Sequence, residues 1–399
     1  SYWKFLITFY KQSIILMSKV FDLFIIGGGI NGAGLARDAA GRGLSVCLAD
    51  KGEIGGATSS WSTKLIHGGL RYLENYEFKL VRESLKERET IYKIAKPISK
   101  PIPFIIPYVD KIRPAWLIKI GLFLYDNLGG KTIIPKSNTL DISKKLPNIL
   151  KKKYKTGFQY FDVQIDDKKL TKLNIKSAKK YKAKVLEYNK VKKAEIDGNE
   201  WVIHLQKGKK IKSKILINAS GPWINETLKK NIKIKSKNKI RLVKGSHIIT
   251  KKLYKKDVAF TFQNTDKRII FVIPYKKKFS LIGTTEVEVK SPENKEISKK
   301  EIQYLIRSVN NYLEKQISTK DIVDSYSGIR PLIEDFNQAS KVTRDYIFDL
   351  NIIKKLPLLS IYGGKLTTYR KLAENVLLDL EKFLPKTKMG PWTHKKNLF

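Results

Sequence analysis

Three glycines and one acid carry the first chemistry legible in this chain. Gly27, Gly29 and Gly32 form G-x-G-x-x-G directly after the apolar run Phe21–Ile26, and Asp50 closes the next apolar run, Leu44–Leu48. In that spacing the first glycine permits a tight turn, the second lets backbone N–H groups approach a pyrophosphate, and the third lets a helix pack close to a strand. The motif alone is weak. Flanked by a strand before, a helix after and an acid at the end of the following strand, it predicts a dinucleotide site. The phosphates would sit at the positive helix end that begins near Ile30 and Asn31. Asp50 would accept hydrogen bonds from a ribose.

Other stretches could serve the same ligand or a second one. Thr58–Lys64 (TSSWSTK) offers hydroxyls and backbone donors, or is a polar turn with a helix cap. Leu65–Tyr72 (LIHGGLRY) gathers His67, a glycine pair, Arg71 and Tyr72 within eight residues. Ala219, Ser220 and Gly221 end a buried strand with small residues that let backbone approach a ligand. Leu358–Arg370 (LLSIYGGKLTTYR) reads as strand, Gly-Gly turn and a second helix N-terminus, with Thr367 and Thr368 as caps or ligand contacts.

The elements that would position these residues alternate between two kinds of material. Phe21–Asp50 reads as strand, helix and strand. Glu74–Ala95 has the spacing of an amphipathic helix, with Phe78, Val81, Leu85 and Ile91 on its apolar face. From Lys96 a proline-rich texture sets in (Pro97, Pro101, Pro103, Pro107, Pro114) that breaks regular structure. Ile165–Ala183 reads as a helix. Val185–Val191 and Trp201–Leu205 are strands joined through the Asp197-Gly198 turn, and Ile215–Asn218 is a buried strand. Ser246–Thr250, Val258–Phe262, Arg268–Pro274 and Phe279–Thr284 suggest an antiparallel sheet, followed by a helix at Lys299–Tyr312. The expected organisation is therefore discontinuous. Residues 18–95, 165–225 and 321–385 form a nucleotide-binding α/β domain. Residues 96–164 and 226–320 form a substrate or cap layer built on the antiparallel sheet. Residues 1–17 are a leader outside the fold.

Composition limits the classes of function. The formal net charge is +42, but only 12 of the 79 basic residues are arginine, the residue suited to bidentate base and phosphate readout. The lysines are spread through loops and helices, which favours a solvated basic surface over nucleic-acid binding; attraction to an anionic membrane surface is a further consequence. The single cysteine, Cys47, excludes an intramolecular disulfide or a C-x-x-C site and fits a reducing compartment. Residues 1–16 are apolar and aromatic but too short to span a bilayer. Met17 reads as the natural start, with an interfacial anchor as the alternative.

In order along the chain stand GGGINGAGLARDAAGRGLSV, TSSWSTKLIHGGLRYLE, NASGPW, IRLVKGSH, NTDKRIIFVIPY, FSLIGTTEVE, YSGIRPL, TRDY and GGKLTTYRKLAE. Together these blocks closely resemble the bacterial respiratory, FAD-dependent glycerol-3-phosphate dehydrogenases, from about Phe21 to Trp392. The resemblance implies a glutathione-reductase-type FAD domain interleaved with a mixed-sheet substrate domain. It implies oxidation of sn-glycerol 3-phosphate to dihydroxyacetone phosphate, with electrons passed to a membrane quinone. It further implies a cytoplasmic protein held peripherally on the inner membrane, with a homodimer possible and no nucleic-acid partner. Members carry a further helical domain after this region, so residues 386–399 read as its start.

Carried onto this sequence, the resemblance gives a site. FAD would be held by Gly27, Gly29, Ile30, Asn31, Gly32, Asp50 and Lys51, then by Thr58, Ser59, Ser60, Ser62, Lys64 and Leu65. Val185 would face the adenine, Ala219 and Gly221 would pass close by, and Gly364, Leu366 and Thr367 would approach the isoalloxazine. The phosphate dianion needs fixed cations, for which Arg71, Arg330, Arg344 and Lys365 are the candidates; each could also be a surface ion pair. His67 is the first choice for a general base among four histidines, with a structural or flavin-holding role as the alternative. His247 and Tyr72 would contact substrate. His204 and His394 read as structural or exposed. No metal site is expected. Competing readings are a glycerol-3-phosphate oxidase that uses oxygen, an amine or 2-hydroxy-acid oxidoreductase on the same fold, and a basic nucleic-acid-binding protein.

Overall fold

The computed structural model describes residues 19–333 and 346–399. The leader and Arg344 lie outside the described residues. In chain order, β1 (Val20–Ile26), α1 (Ile30–Gly41) and β2 (Val46–Ala49) come first, then β3 (Leu65–Ile66), α2 (Phe78–Ile94), β4 (Ser99–Pro107), α3 (Ala115–Asn127), β5 (Asn138–Asp141), β6 (Thr156–Ile165) and α4 (Asp167–Lys180). Next are β7 (Lys184–Leu186), β8 (Val191–Asp197), β9 (Glu200–Leu205), β10 (Lys210–Asn218), β11 (Ile240–Lys251), β12 (Ala259–Gln263), β13 (Ile269–Tyr275) and β14 (Phe279–Gly283). The remainder is β15 (Val287–Val289), α5 (Lys299–Asn310), β16 (Ile322–Ile333), β17 (Tyr346–Ile353), β18 (Leu356–Gly363) and α6 (Tyr369–Asp379).

Two compact units divide the described residues: those up to 60, 168–241 and those from 331 onward in the first, 61–167 and 242–330 in the second. The first is built on a sheet in the order β17-β18-β10-β1-β2-β7, to which β9 and β8 are added. β1 pairs parallel with both β10 and β2. Leu23 and Ile25 enter one hydrophobic cluster, with Ala33, Ala36 and Leu372, whereas Phe24 and Ile26 enter another on the opposite face, with Trp201 and Leu216. A strand buried on both faces has no polar side to show, so its sequence reads as a continuous apolar run. Cys47 lies in this core, where burial pushes its thiol up to about 12 and leaves it unreactive.

The second unit is built on a mixed sheet in the order β15-β11-β14-β13-β12-β4-β6-β3, with β16 beside β11 and β5 beside β6. The antiparallel hairpins expected from 246–284 form here, and β4 adds to them parallel to β12. Two expectations differ from the structure. Three of the five prolines of 96–114 do not break regular structure: Pro101, Pro103 and Pro107 lie in β4, which pairs with β6 along its length, whereas Pro97 and Pro114 stand where elements change. Spaced by even numbers, the three in β4 place their missing N–H groups along a single strand edge, so the other edge keeps its ladder. Residues 61–95 belong with the second unit rather than the first, because β3 pairs with β6 and α2 buries Val81 and Leu85 beside Phe104 and Tyr160. The helix expected from Glu74 begins at Phe78, after a 3₁₀ turn at Leu70–Asn75, and the one expected from Ile165 begins at Asp167 because Ile165 still belongs to β6.

Candidate functional site

In the first unit the glycine turn leaves β1 and enters α1. Gly27 has φ +107°, a conformation L side chains avoid, and a Cβ there would stand 2.4 Å from the Ala219 carbonyl oxygen. A Cβ on Gly32 would stand 2.0 Å from the Gly27 carbonyl oxygen, so helix and strand touch where only hydrogen fits. Gly29 is the N-cap of α1 and has no side chain with which to cap it, and no acid lies in the first turn. The Ile30 N–H donates to Ser59 Oγ at 2.9 Å. Asn31 Nδ2 donates to the Gly363 carbonyl at 3.2 Å, which ties this helix start to the β18–α6 turn, where Gly363 and Gly364 have φ +76° and +93°. Asn31 Oδ1 is buried with no hydrogen-bond partner. The start of α6 also lacks a side-chain cap and an acid in its first turn.

Asp50 is held at the end of β2: Oδ2 accepts from Gly28 N at 2.6 Å and Oδ1 from Gly52 N at 2.8 Å. Its second lone pairs remain for hydroxyl donors. A helix N-terminus without an acid in its first turn, a turn open to backbone approach and an oriented carboxylate together fit the diphosphate and ribose of FAD. Around this cradle, Lys51 Nζ lies 3.4 Å over the Trp223 ring. Ser60 donates its hydroxyl to the Gly55 carbonyl. Val185 pairs with Leu48, and Gly221 adopts φ +56° as its strand ends. Thr58, Lys365 and Leu366 are half-buried and Thr367 is buried.

The second unit holds a separate polar constellation. His247, on β11, is buried; its Nε2 lies 3.0 Å from Thr63 Oγ1, and its ring stacks on Tyr326 at 4.8 Å. His247 Nδ1 has no hydrogen-bond partner. Burial first, then the charges of Arg330 and Lys64, hold this imidazole down to about 3, so it acts at neutral pH as an uncharged hydrogen-bonding group. Tyr326 donates its hydroxyl to the Ser62 carbonyl at 2.7 Å, and Lys64 Nζ lies 5.4 Å from its ring centroid. Arg330 is half-exposed. Its Nη2 donates to the Thr285 carbonyl at 3.4 Å, and Nη1 lies 4.0 Å from Glu286. A Cβ on Gly245 would stand 2.8 Å from Arg330 Nη2, so the bare backbone there makes room for the guanidinium.

Asp167 is the residue that sequence reasoning missed here. Its buried carboxylate accepts from Ser62 N at 3.2 Å, Ser62 Oγ at 2.6 Å and Lys64 Nζ at 2.7 Å. Lys64 itself has φ +61°, an uncommon conformation for a side-chain-bearing residue, and the Asp167 contacts hold it there. The available signal was the acid pair opening IDDKKL, which as an isolated pattern reads only as a helix start. Leu65 is buried in β3, opposite Gln164.

The LIHGGLRY segment is tied down by a second buried charge pair. The Gly68 N–H donates to Tyr125 Oη at 2.7 Å; Tyr125 donates to Asp162 at 2.7 Å; Arg88 pairs with Asp162 at 2.9 Å. His67 beside it is half-buried, Arg71 exposed and Tyr72 half-buried. Thus His247 and Arg330 are brought into one constellation, both bordered by the Gly245–His247 strand. His204 instead pairs with Glu195 at 2.8 Å, and His394 lies 4.0 Å from Glu374.

The sequence profile of the FAD dependent oxidoreductase family matches residues 22–370. Glycerol-3-phosphate dehydrogenase of Pseudomonas aeruginosa is 44% identical over 390 residues, which cover 96% of this chain and 75% of the relative. D-erythritol 1-phosphate dehydrogenase of Brucella abortus is 43% identical over 381 residues, covering 94% and 76%. The solved structure of glycerol-3-phosphate dehydrogenase from Bacillus halodurans, complexed with FAD, superimposes with a TM-score of 0.73 at 26% identity, over 96% of this chain and 68% of that one.

Proposed function

The chain belongs to the FAD-dependent oxidoreductase family, among its bacterial glycerol-3-phosphate dehydrogenases, and from that premise we propose that it oxidises sn-glycerol 3-phosphate to dihydroxyacetone phosphate and delivers the electrons to a membrane quinone. The observation that carries the reading is the 44% identity sustained over 390 residues, joined to a nucleotide cradle that is complete in its backbone. Bound FAD supplies the hydride acceptor. The chain's own residues do the rest. The α1 start and Asp50 hold the diphosphate and ribose. Arg330, with Arg71, binds the phosphate dianion as fixed cations. His67 takes the proton from the C2 hydroxyl as that hydroxyl becomes a carbonyl, with Tyr72 as a further donor to substrate. Neutral His247 orients the hydroxyl without adding charge. Roles for Ser62, Lys64, Leu65, Arg344 and Lys365 rest on the sequence blocks alone.

The test is an absorbance spectrum followed by anaerobic titration. The protein should be yellow, and sn-glycerol 3-phosphate should bleach it in stoichiometric amount. Reoxidation by a quinone analogue should outpace reoxidation by oxygen; hydrogen peroxide formed mole for mole with product would sink the quinone reading. A second substrate reading is favoured by the 43% identity to a D-erythritol 1-phosphate dehydrogenase. Faster bleaching by that longer polyol phosphate would replace the glycerol reading while leaving the flavin chemistry intact.

Contact with the inner membrane belongs to the same proposal. Among the described residues no helix is long and apolar enough to cross a membrane. What supports peripheral attachment is α3, which exposes Trp116, Leu117, Ile120 and Phe123 along one stripe while burying Ile118, Leu122 and Tyr125. Lys111, Arg113, Lys119 and Lys131 stand around it in sequence, in a chain of formal net charge +42. Apolar residues in a basic setting suit an anionic bilayer, whereas a second copy would bring like charges together. The pair of changes Ile120→Glu and Phe123→Glu should lower sedimentation with phosphatidylglycerol vesicles by about tenfold or more, given the lost apolar burial, and leave flavin content unchanged. A dimer that these changes split into monomers would show instead that the stripe faces another copy.

A further inference from the structure

The buried acid on α5 has no part in the chemistry above, yet its carboxylate is the meeting point of the segments that carry His247 and Arg330. Glu301 Oε1 accepts from Ser246 Oγ at 2.7 Å and Thr285 Oγ1 at 2.8 Å. Its Oε2 accepts from Ser298 N and Oγ, each at 2.9 Å, and pairs with Lys244 Nζ at 3.0 Å. Both Glu301 and Lys244 are buried. Burial alone would raise this acid, but the bonds from Ser298, Ser246, Lys244 and Thr285 outweigh it and hold the carboxyl at about 2, so it stays ionised.

The bonds can be directed. A hydroxyl has one proton. Ser246 gives its proton to Glu301, so the Ser327 hydroxyl, 2.7 Å away, donates to Ser246. Thr285 gives its proton to Glu301, and its oxygen then accepts from the Ser246 N–H at 3.0 Å. Ser246 precedes His247 on β11. Thr285 offers the carbonyl that receives Arg330. Ser327 lies on β16, the strand that bears Arg330. One ionised carboxylate therefore sets the direction of every hydroxyl that joins these three segments.

We propose that Glu301 is a positioning residue for substrate binding, fixing through Ser246 and Thr285 the backbone that aims His247 and Arg330. The proposal rests on the reading of those two side chains as the substrate-binding pair. It makes two bonds to the same carboxylate unequal. The Oε1 side takes the hydroxyls of Ser246 and Thr285, and the Oε2 side takes the Lys244 ammonium and the Ser298 cap of α5, which forms a capping box with Glu301.

Two variants separate the roles. Thr285→Val keeps the shape of the side chain and removes one of the two Oε1 bonds together with the acceptor of the Ser246 N–H; Ser298→Ala removes the cap hydroxyl, with its bond to Oε2 and the bond it accepts from the Glu301 N–H. Both should lower the melting temperature by several degrees, each variant losing two hydrogen bonds. Only Thr285→Val should raise KM for sn-glycerol 3-phosphate, by about fivefold to tenfold on the energy of one such bond, with kcat within about twofold and flavin content unchanged. Only Thr285→Val should also increase deuterium uptake in peptides spanning 243–249 and 283–287, measured on the flavin-loaded protein without substrate. Equal KM changes in the two variants, or unchanged KM and uptake in Thr285→Val, would overturn the proposal. Increased uptake in Thr285→Val alone, in a protein that sn-glycerol 3-phosphate fails to bleach even as wild type, would uphold the tether and reject the substrate.

Discussion

Gly32→Ala should give a colourless protein. The added Cβ would stand 2.0 Å from the Gly27 carbonyl oxygen and 3.1 Å from its carbon. Both are backbone atoms, so no rotamer relieves the clash. Either α1 slides away from β1 or the turn opens, and each displaces the Ile30 and Asn31 amides from the place where a diphosphate would lie. Overpacking of this kind costs about 1–3 kcal/mol in stability. The larger effect is on flavin, whose anion site is built from backbone that has moved. Purified Gly32→Ala should hold less than about a tenth of the wild-type flavin, an affinity loss on the scale of several lost charge-assisted hydrogen bonds. Gly121→Ala is the matching control, because a Cβ there meets nothing within 4 Å. Absorbance near the flavin band against protein concentration decides the matter. A Gly32→Ala protein as yellow as wild type would mean that the nucleotide is held elsewhere.

That prediction could be written from sequence because glycine requirements are local. A positive φ at Gly27 and a helix–strand approach at Gly32 concern residues within a few positions of each other, and no other residue type meets them. The antiparallel hairpins of the second unit were legible for the same reason: β12, β13 and β14 are short alternating runs separated by tight turns. What stayed hidden depends on distant partners. Residues 61–95 looked like a continuation of the nucleotide domain until β3 paired with Val163 and Gln164 of β6. Asp167 and Glu301 each sit at a helix start among lysines, where an acid ordinarily serves as a solvated cap. Their burial follows from strands that arrive from elsewhere in the chain. Helix α3 lacks the polar face by which a surface helix is read, since it is apolar on its buried and exposed sides alike. The histidines show the limit most plainly. His67 and His247 lie in equally distinctive sequence blocks, but only the fold shows that His247 is buried between two cations with a ring nitrogen unpaired.

Arg330→Ala should separate substrate binding from flavin binding. The Arg330 side chain is 38% exposed, its guanidinium braced on one side by the Thr285 carbonyl and faced by Glu286 at 4.0 Å. It is a fixed fork with donors left for an oxyanion. A hydrogen bond to a charged group contributes about 1.5–3 kcal/mol, so removing the fork should lower kcat/KM for sn-glycerol 3-phosphate by about 10-fold to 150-fold, expressed mainly in KM. Flavin content should not change, because Gly27, Gly32 and Asp50 belong to the other unit. Arg330→Lys keeps the charge without the bidentate geometry and should fall between the two. Measured against both sn-glycerol 3-phosphate and D-erythritol 1-phosphate, Arg330→Ala should cost the same factor, since the two share the phosphate and differ in the carbon chain. Equal factors would place Arg330 on the phosphate. A loss confined to one substrate would place it on the polyol instead, and equal loss of substrate and flavin would remove it from the substrate altogether.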